Sequence, residues 1–131
     1  MKGLAEYIKS FYKDIPLEIL ENMIVQHGSK MVYSKKGDVF RGVVMWARIG
    51  DESLARIIDK KHYSVKDMQA MLAEDGDNLH FLFLICEDSK DLLRGLRFIV
   101  NRERPKTVSW FNPEMKFNIF KSEVVLCHQQ Q

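Results

Sequence analysis

In the stretch LHFLFLICEDSKDLLRGLRFIV, Leu79 to Val100, an apolar run meets three carboxylates, Glu87, Asp88 and Asp91, at the start of an amphipathic helix. The free N–H groups and dipole of a helix N-terminus favour an anion by roughly 0.3–1 kcal/mol per charge, so such a junction suits a phosphate. Here acids already occupy that field. Asp88 or Ser89 is a good N-cap and would satisfy the N–H groups a phosphate needs. A diphosphate would also meet like charge, at a cost on the order of 1 kcal/mol per carboxylate near the surface. The stretch therefore reads as a self-capped helix before it reads as an anion cradle. No further ligands are spaced to complete a cation site, and no metal is expected.

Two residues have types suited to proton transfer. His80 alternates with Leu82 and Leu84 on the central strand. Its near-neutral pKa would make it a general base if the strand end opens onto a cleft, and a satisfied strand-end histidine otherwise. Tyr63 follows Lys60, Lys61 and His62 and is a candidate general acid, against the plainer reading of a solvated loop. Cys86 sits beside two acids that would raise its pKa, which makes it a poor nucleophile and a core side chain. Cys86 and Cys127 show no CxxC spacing and read as buried reduced thiols. Arg94, Arg97, Arg102, Arg104 and Lys106 cluster near Trp110 and Phe111, a combination that invites a nucleic-acid reading. Glu103 interrupts that run and the net charge is only +2, so a solvated helix face explains it better and nucleic acid is not an expected partner.

The elements that must position these residues follow from periodicity. At 131 residues, with 46% hydrophobic and 29% charged, the chain fits one globular domain, 1–131, with a core of its own. Leu4, Ile8 and Phe11 share a helical face over residues 3–13, and a second helix runs from about Ile15, with Pro16 in its first turn, to Gly28. Leu17, Leu20 and Ile24 form its stripe. The run MVYSKKGDVFRGVVMWARIG has two extended halves around Lys36, Gly37 and Asp38, a β-hairpin. Val39, Arg41, Val43, Met45, Ala47 and Ile49 alternate with Phe40, Gly42, Val44, Trp46 and Arg48, so the second strand is expected to be covered on both sides. Residues 51–76 read as helical, with Leu54, Ile57 and Ile58 as one stripe. Ser64 and Asp67 open a further helix through Met68, Met71 and Leu72. After the strand from Leu79 to Cys86 comes a helix over Ser89 to Asn101, packing through Leu92, Leu93, Leu96, Ile99 and Val100, with a close contact expected at Gly95. KTVSWF and MKFNIFK make a second hairpin around Asn112, Pro113 and Glu114. SEVVLC is a candidate edge strand, and HQQQ a frayed tail. The order α-α-β-β-α-α-β-α-β-β gives an α+β domain, a mostly antiparallel sheet with flanking helices.

This order resembles the Gcn5-related acetyltransferase (GNAT) fold: helices, a hairpin of the YSKKGDVFRGVVMW type, a variable helical middle, then a long strand leading into a helix. That family holds the diphosphate of acyl-CoA in an R/Q-x-x-G-x-G/A loop, whereas the corresponding stretch here is CEDSKDLLRGL. The direct return of TVSWFNPEMKFNIF as a hairpin looks more like the toxin-activating lysine acyltransferases, which take their acyl group from acyl carrier protein. Their catalytic pair is an N-terminal His and an Asp on the long strand. His27 lies in the first region, while the strand has Phe81, Leu82, Phe83 and Leu84 where the acid is expected.

The resemblance, without its cofactor loop and strand acid, implies a non-catalytic or degenerate GNAT-like accessory or binding protein with a protein partner and no cofactor. The alternative it implies is an acyltransferase that moves an acyl group to an amine from acyl-CoA or acyl carrier protein, with His80 and Tyr63 transferring protons. The small, pared-down fold suits a phage or mobile element. The opening of the chain shows no signal-peptide pattern and no apolar stretch reaches transmembrane length, so a cytoplasmic protein with no membrane partner is expected.

Overall fold

The computed structural model describes residues 3–60, 62–111 and 117–121. Five helices and five strands follow in the expected order: α1 Leu4–Lys9, α2 Leu17–His27, β1 Met31–Lys36, β2 Val39–Ile49, α3 Asp51–Lys60, α4 Val65–Leu72, β3 Asn78–Cys86, α5 Ser89–Glu103, β4 Thr107–Phe111 and β5 Phe117–Lys121. The strands form one sheet in the order β1-β2-β3-β4-β5. Every pairing is antiparallel except β3 with β4, which α5 joins as a parallel crossover. The fold is α+β, a mostly antiparallel sheet with flanking helices.

Local chemistry explains the boundaries. Gly37 supplies the positive φ of 64° needed to turn β1 into β2 within two residues. Ser64 and Asp67 make both bonds of a capping box at the start of α4. Arg104 takes the left-handed conformation that ends α5, and Pro105 prevents its continuation. Arg48 then clasps this end to β2, donating to the carbonyls of Gly76 at 3.1 Å and Glu103 at 2.7 Å.

The sheet is covered on both faces. Leu4 and Ile8 of α1, Leu20 and Met23 of α2, Leu54 and Ile57 of α3, and Met68, Met71 and Leu72 of α4 pack against Val43, Met45, Ala47, Ile49 and Phe83. On the opposite face Leu96, Ile99 and Val100 of α5 cover Val44, Trp46, Leu79, Phe81 and Val108. Burying each such side chain is worth roughly 1.5–3 kcal/mol.

Several side chains differ from their sequence expectation. A β-bulge opposite Ser34 and Lys35 takes Arg41 out of register, so Phe40 joins the face of Val43 and Met45 while Val39 stays exposed. The first helix ends at Lys9, which leaves Phe11 beyond it and exposed, and α2 starts at Leu17 with Pro16 as its N-cap. Ile58 and Leu93 fall on the wet sides of their helices. A Cβ on Gly95 would meet nothing within 4 Å, so no close contact explains that glycine. The turn at 112–114, the strand SEVVLC, Cys127 and the tail HQQQ lie outside the described residues.

Candidate functional site

Among the described residues, the long strand β3 is paired on both sides for only part of its length. Against β4 the ladder runs from Asn78↔Thr107 to Phe81↔Trp110 and stops, although β3 continues to Cys86. Against β2 the register jumps at the same point, from Met45↔Phe83 to Trp46↔Phe81, so Leu82 is an extra residue. A bulge bends its strand and increases the local twist, here at the level where the described ladder with β4 ends. At the level of this bulge β4 itself reaches its last residue, Phe111.

An open slot of about 800 Å³ lies beside β3 at this level. On the side of α1 to α4 it is lined by Tyr12, Tyr63, Val65, Met68, Leu82 and Phe111; on the side of α5, by Phe81, Leu84, Leu92 and Trp110. It therefore passes through the sheet between two apolar half-cores. The Tyr12 hydroxyl accepts the Leu84 N–H at 3.2 Å, satisfying a strand edge group that β4 no longer reaches. Lys13, Asp14 and the exposed His62 also line it.

Tyr63 and His80 meet at this slot. The Tyr63 hydroxyl is 3.1 Å from His80 Nε2, and His80 Nδ1 is 2.9 Å from the Ser109 hydroxyl. His80 and Ser109 are neighbours across the parallel ladder, both fully buried. Tyr63 packs its ring against His80 and Phe111, and it lines the slot whereas His80 and Ser109 do not. It leads into α4 next to the Ser64 cap, as a mostly buried wall residue and not a solvated loop side chain. Burial pushes the His80 pKa down to about 4, so the ring is neutral at neutral pH. Burial, then the neighbouring Tyr12, hold the Tyr63 phenol well above its ordinary value, so it stays protonated. His80 does not open onto the slot; Tyr63 stands between them. His27 ends α2 and takes no part in the lining.

The acids at the β3–α5 junction are all engaged. Asp88 caps α5, accepting the Lys90 N–H at 2.8 Å. Glu87 pairs with Arg41, and Asp91 lies 4.0 Å from Arg94. With the Lys90 N–H capped by Asp88, acids on either side and no glycine loop, these residues do not fit the diphosphate of CoA. Cys86 is not a core side chain: it is half-buried, lines the slot and points its thiol at the Asp88 carbonyl 3.1 Å away. The basic cluster divides among separate partners. Arg102 lies over the rings of Trp46 and Phe98 and pairs with Glu103, while Lys106 pairs with Asp51 at 2.8 Å.

Ser109, Tyr12 and Leu84 were not singled out from the sequence as parts of a site. The signal for Ser109 is a hydroxyl at an alternating position of KTVSWF, but only the β3/β4 register reveals that it faces His80. No protein-family model matches the chain, and no curated protein matches it.

Proposed function

We propose that this chain is a GNAT-like accessory protein that binds the apolar chain of an acyl-bearing ligand in the slot between β3 and β4, without itself transferring the acyl group. The observation that carries the reading is the apolar slot of about 800 Å³ beside β3, lined by residues on both sides of the last described pair of its ladder with β4, Phe81↔Trp110. This volume lies within the range of small-ligand sites, and its walls offer mainly aliphatic and aromatic surface to an extended chain. The capped N-terminus of α5 argues against a grip on CoA's diphosphate, so the donor's chain, and not its nucleotide, supplies the contacts.

The non-catalytic reading follows from the proton chemistry. Acyl transfer to an amine needs a base to take the amine's proton and an acid for the leaving group. His80 is buried, does not line the slot and is a weak base with its pKa pushed down to about 4. Tyr63, held above its ordinary value, is a reluctant acid. One observation favours the second reading, an acyltransferase: Tyr63 lines the slot with His80 Nε2 behind its hydroxyl at 3.1 Å, an order in which a proton given up by the phenol could be replaced.

Calorimetric titration with acyl-loaded carrier protein and with acetyl-CoA, followed by an assay for acylated amine, separates the two. Binding of the carrier without product is the expected result. Transfer that His80→Ala abolishes would establish the enzyme instead. If neither donor binds at high micromolar concentration, both readings lose their support.

A further inference from the structure

We infer that the wall of the slot recognises a carbonyl group: the Tyr63 hydroxyl donates to a ligand's carbonyl oxygen, and His80 with Ser109 form a hydrogen-bond chain that reverses to allow it. The inference rests on the binding reading above and names the polar group that an apolar occupant must carry.

The 3.1 Å between the Tyr63 hydroxyl and His80 Nε2 allows either group to donate; to the free protein we assign the order in which the phenol gives its proton to Nε2, so that no phenol proton is aimed into the apolar slot. A neutral imidazole has one N–H, and with Nε2 accepting, that N–H is on Nδ1 and donates to the Ser109 oxygen at 2.9 Å. The opposite order is equally complete. If Ser109 O–H donates to Nδ1, the ring proton is on Nε2 and donates to the phenolic oxygen, which frees Tyr63 O–H for an acceptor in the slot. Both ring nitrogens stay paired in either direction, and the ring stays neutral in both.

Reversal requires a far-end group that can both donate and accept. A serine hydroxyl can; a carboxylate, an acceptor only, would hold the proton on Nδ1 and fix the chain in one direction. The partner at this position is Ser109, fully buried and in ladder register with His80. Lys13, Asp14 and His62 also line the slot, but the side chains that share an apolar cluster with Tyr63 there, Val65, Met68 and Phe111, carry no charge, and leaving an ammonium or carboxylate unpaired among them is costly. A neutral carbonyl of a thioester, ester or amide is the group that suits both the wall and the donor.

The test compares S-octanoyl-N-acetylcysteamine with S-octyl-N-acetylcysteamine, which has the same alkyl length without the carbonyl, by titration of the full chain followed through Trp110 fluorescence. The thioester should bind about tenfold tighter, the fold-change of one well-made hydrogen bond. Tyr63→Phe should bring the two ligands within about twofold, thioester affinity falling more than thioether affinity. Nitrogen-15 spectra of the His80 ring should show the proton moving from Nδ1 to Nε2 with the thioester and remaining on Nδ1 with the thioether. Equal binding of the two ligands by the wild-type chain, or a ring proton that the thioester does not move, overturns the carbonyl inference and leaves the slot as an apolar site. If neither ligand binds, the inference and the binding reading fall together.

Discussion

A histidine ring with no exposed surface should register in the stability of the protein as pH is lowered. His80 has an ordinary pKa of 6.5, pushed down to about 4 in the fold by burial. Between those values the unfolded chain binds a proton that the folded chain refuses, so stability rises with pH through this window and is lost as pH falls. At about 1.4 kcal/mol per pKa unit, the loss between pH 6.5 and 4 is on the order of 3 kcal/mol. Urea midpoints at pH 7, 5.5 and 4 should fall accordingly, and His80→Asn should remove that part of the slope; an unchanged slope would place the ring elsewhere. Two glycines give opposite expectations. A Cβ on Gly76 would lie 2.2 Å from the backbone of Ile49, so Gly76→Ala should cost on the order of 2–3 kcal/mol in denaturant unfolding. A Cβ on Gly95 meets open space in the interior of α5, so Gly95→Ala should stabilise by about 0.5–1 kcal/mol.

At the scale of elements, the site depends on where β3 stops being an ordinary strand and on what holds the start of α4. Ser64 lines the slot next to Tyr63, and its side chain accepts the Asp67 N–H at 3.1 Å while Asp67 accepts the Ser64 N–H at 3.0 Å. Ser64→Ala should cost about 1 kcal/mol of stability. Because Tyr63 precedes that cap, the same variant should also weaken the preference for thioester over thioether, read by the paired titration. The capping box, the first hairpin and the acid-capped start of α5 were legible in the sequence because each depends on residues a few positions apart. The bulges were not. One extra residue in a strand, Arg41 in β2 or Leu82 in β3, changes which face every later side chain takes, and only the partner strand shows it. Phe40 was therefore placed on the wrong face. Tyr63 and His80 were visible singly as residue types suited to proton transfer, but their meeting and the role of Ser109 depend on a parallel pairing between segments that α5 separates.

Across the described molecule, two half-cores press on a single sheet, α1 to α4 on one face and α5 on the other, and the slot runs between them beside β3 past its last described pair with β4. Among the described residues, no helix is long and apolar enough to cross a membrane. The acids at the N-terminus of α5 are consumed by a cap and two ion pairs, which leaves the nucleotide end of a CoA donor without a cradle. Octanoyl-CoA and octanoyl-pantetheine should accordingly bind within about threefold of each other by calorimetry, since a diphosphate grip through charge-assisted hydrogen bonds would add far more. The most direct test of the slot is an amide chemical-shift map of the nitrogen-15-labelled protein titrated with octanoyl-pantetheine. The largest shifts should fall on residues 82–86, Trp110 and Phe111, with Tyr12 and Tyr63 following on the α1 to α4 side. Saturating ligand that leaves these amides unmoved, or moves those of the β1 edge instead, would contradict the account.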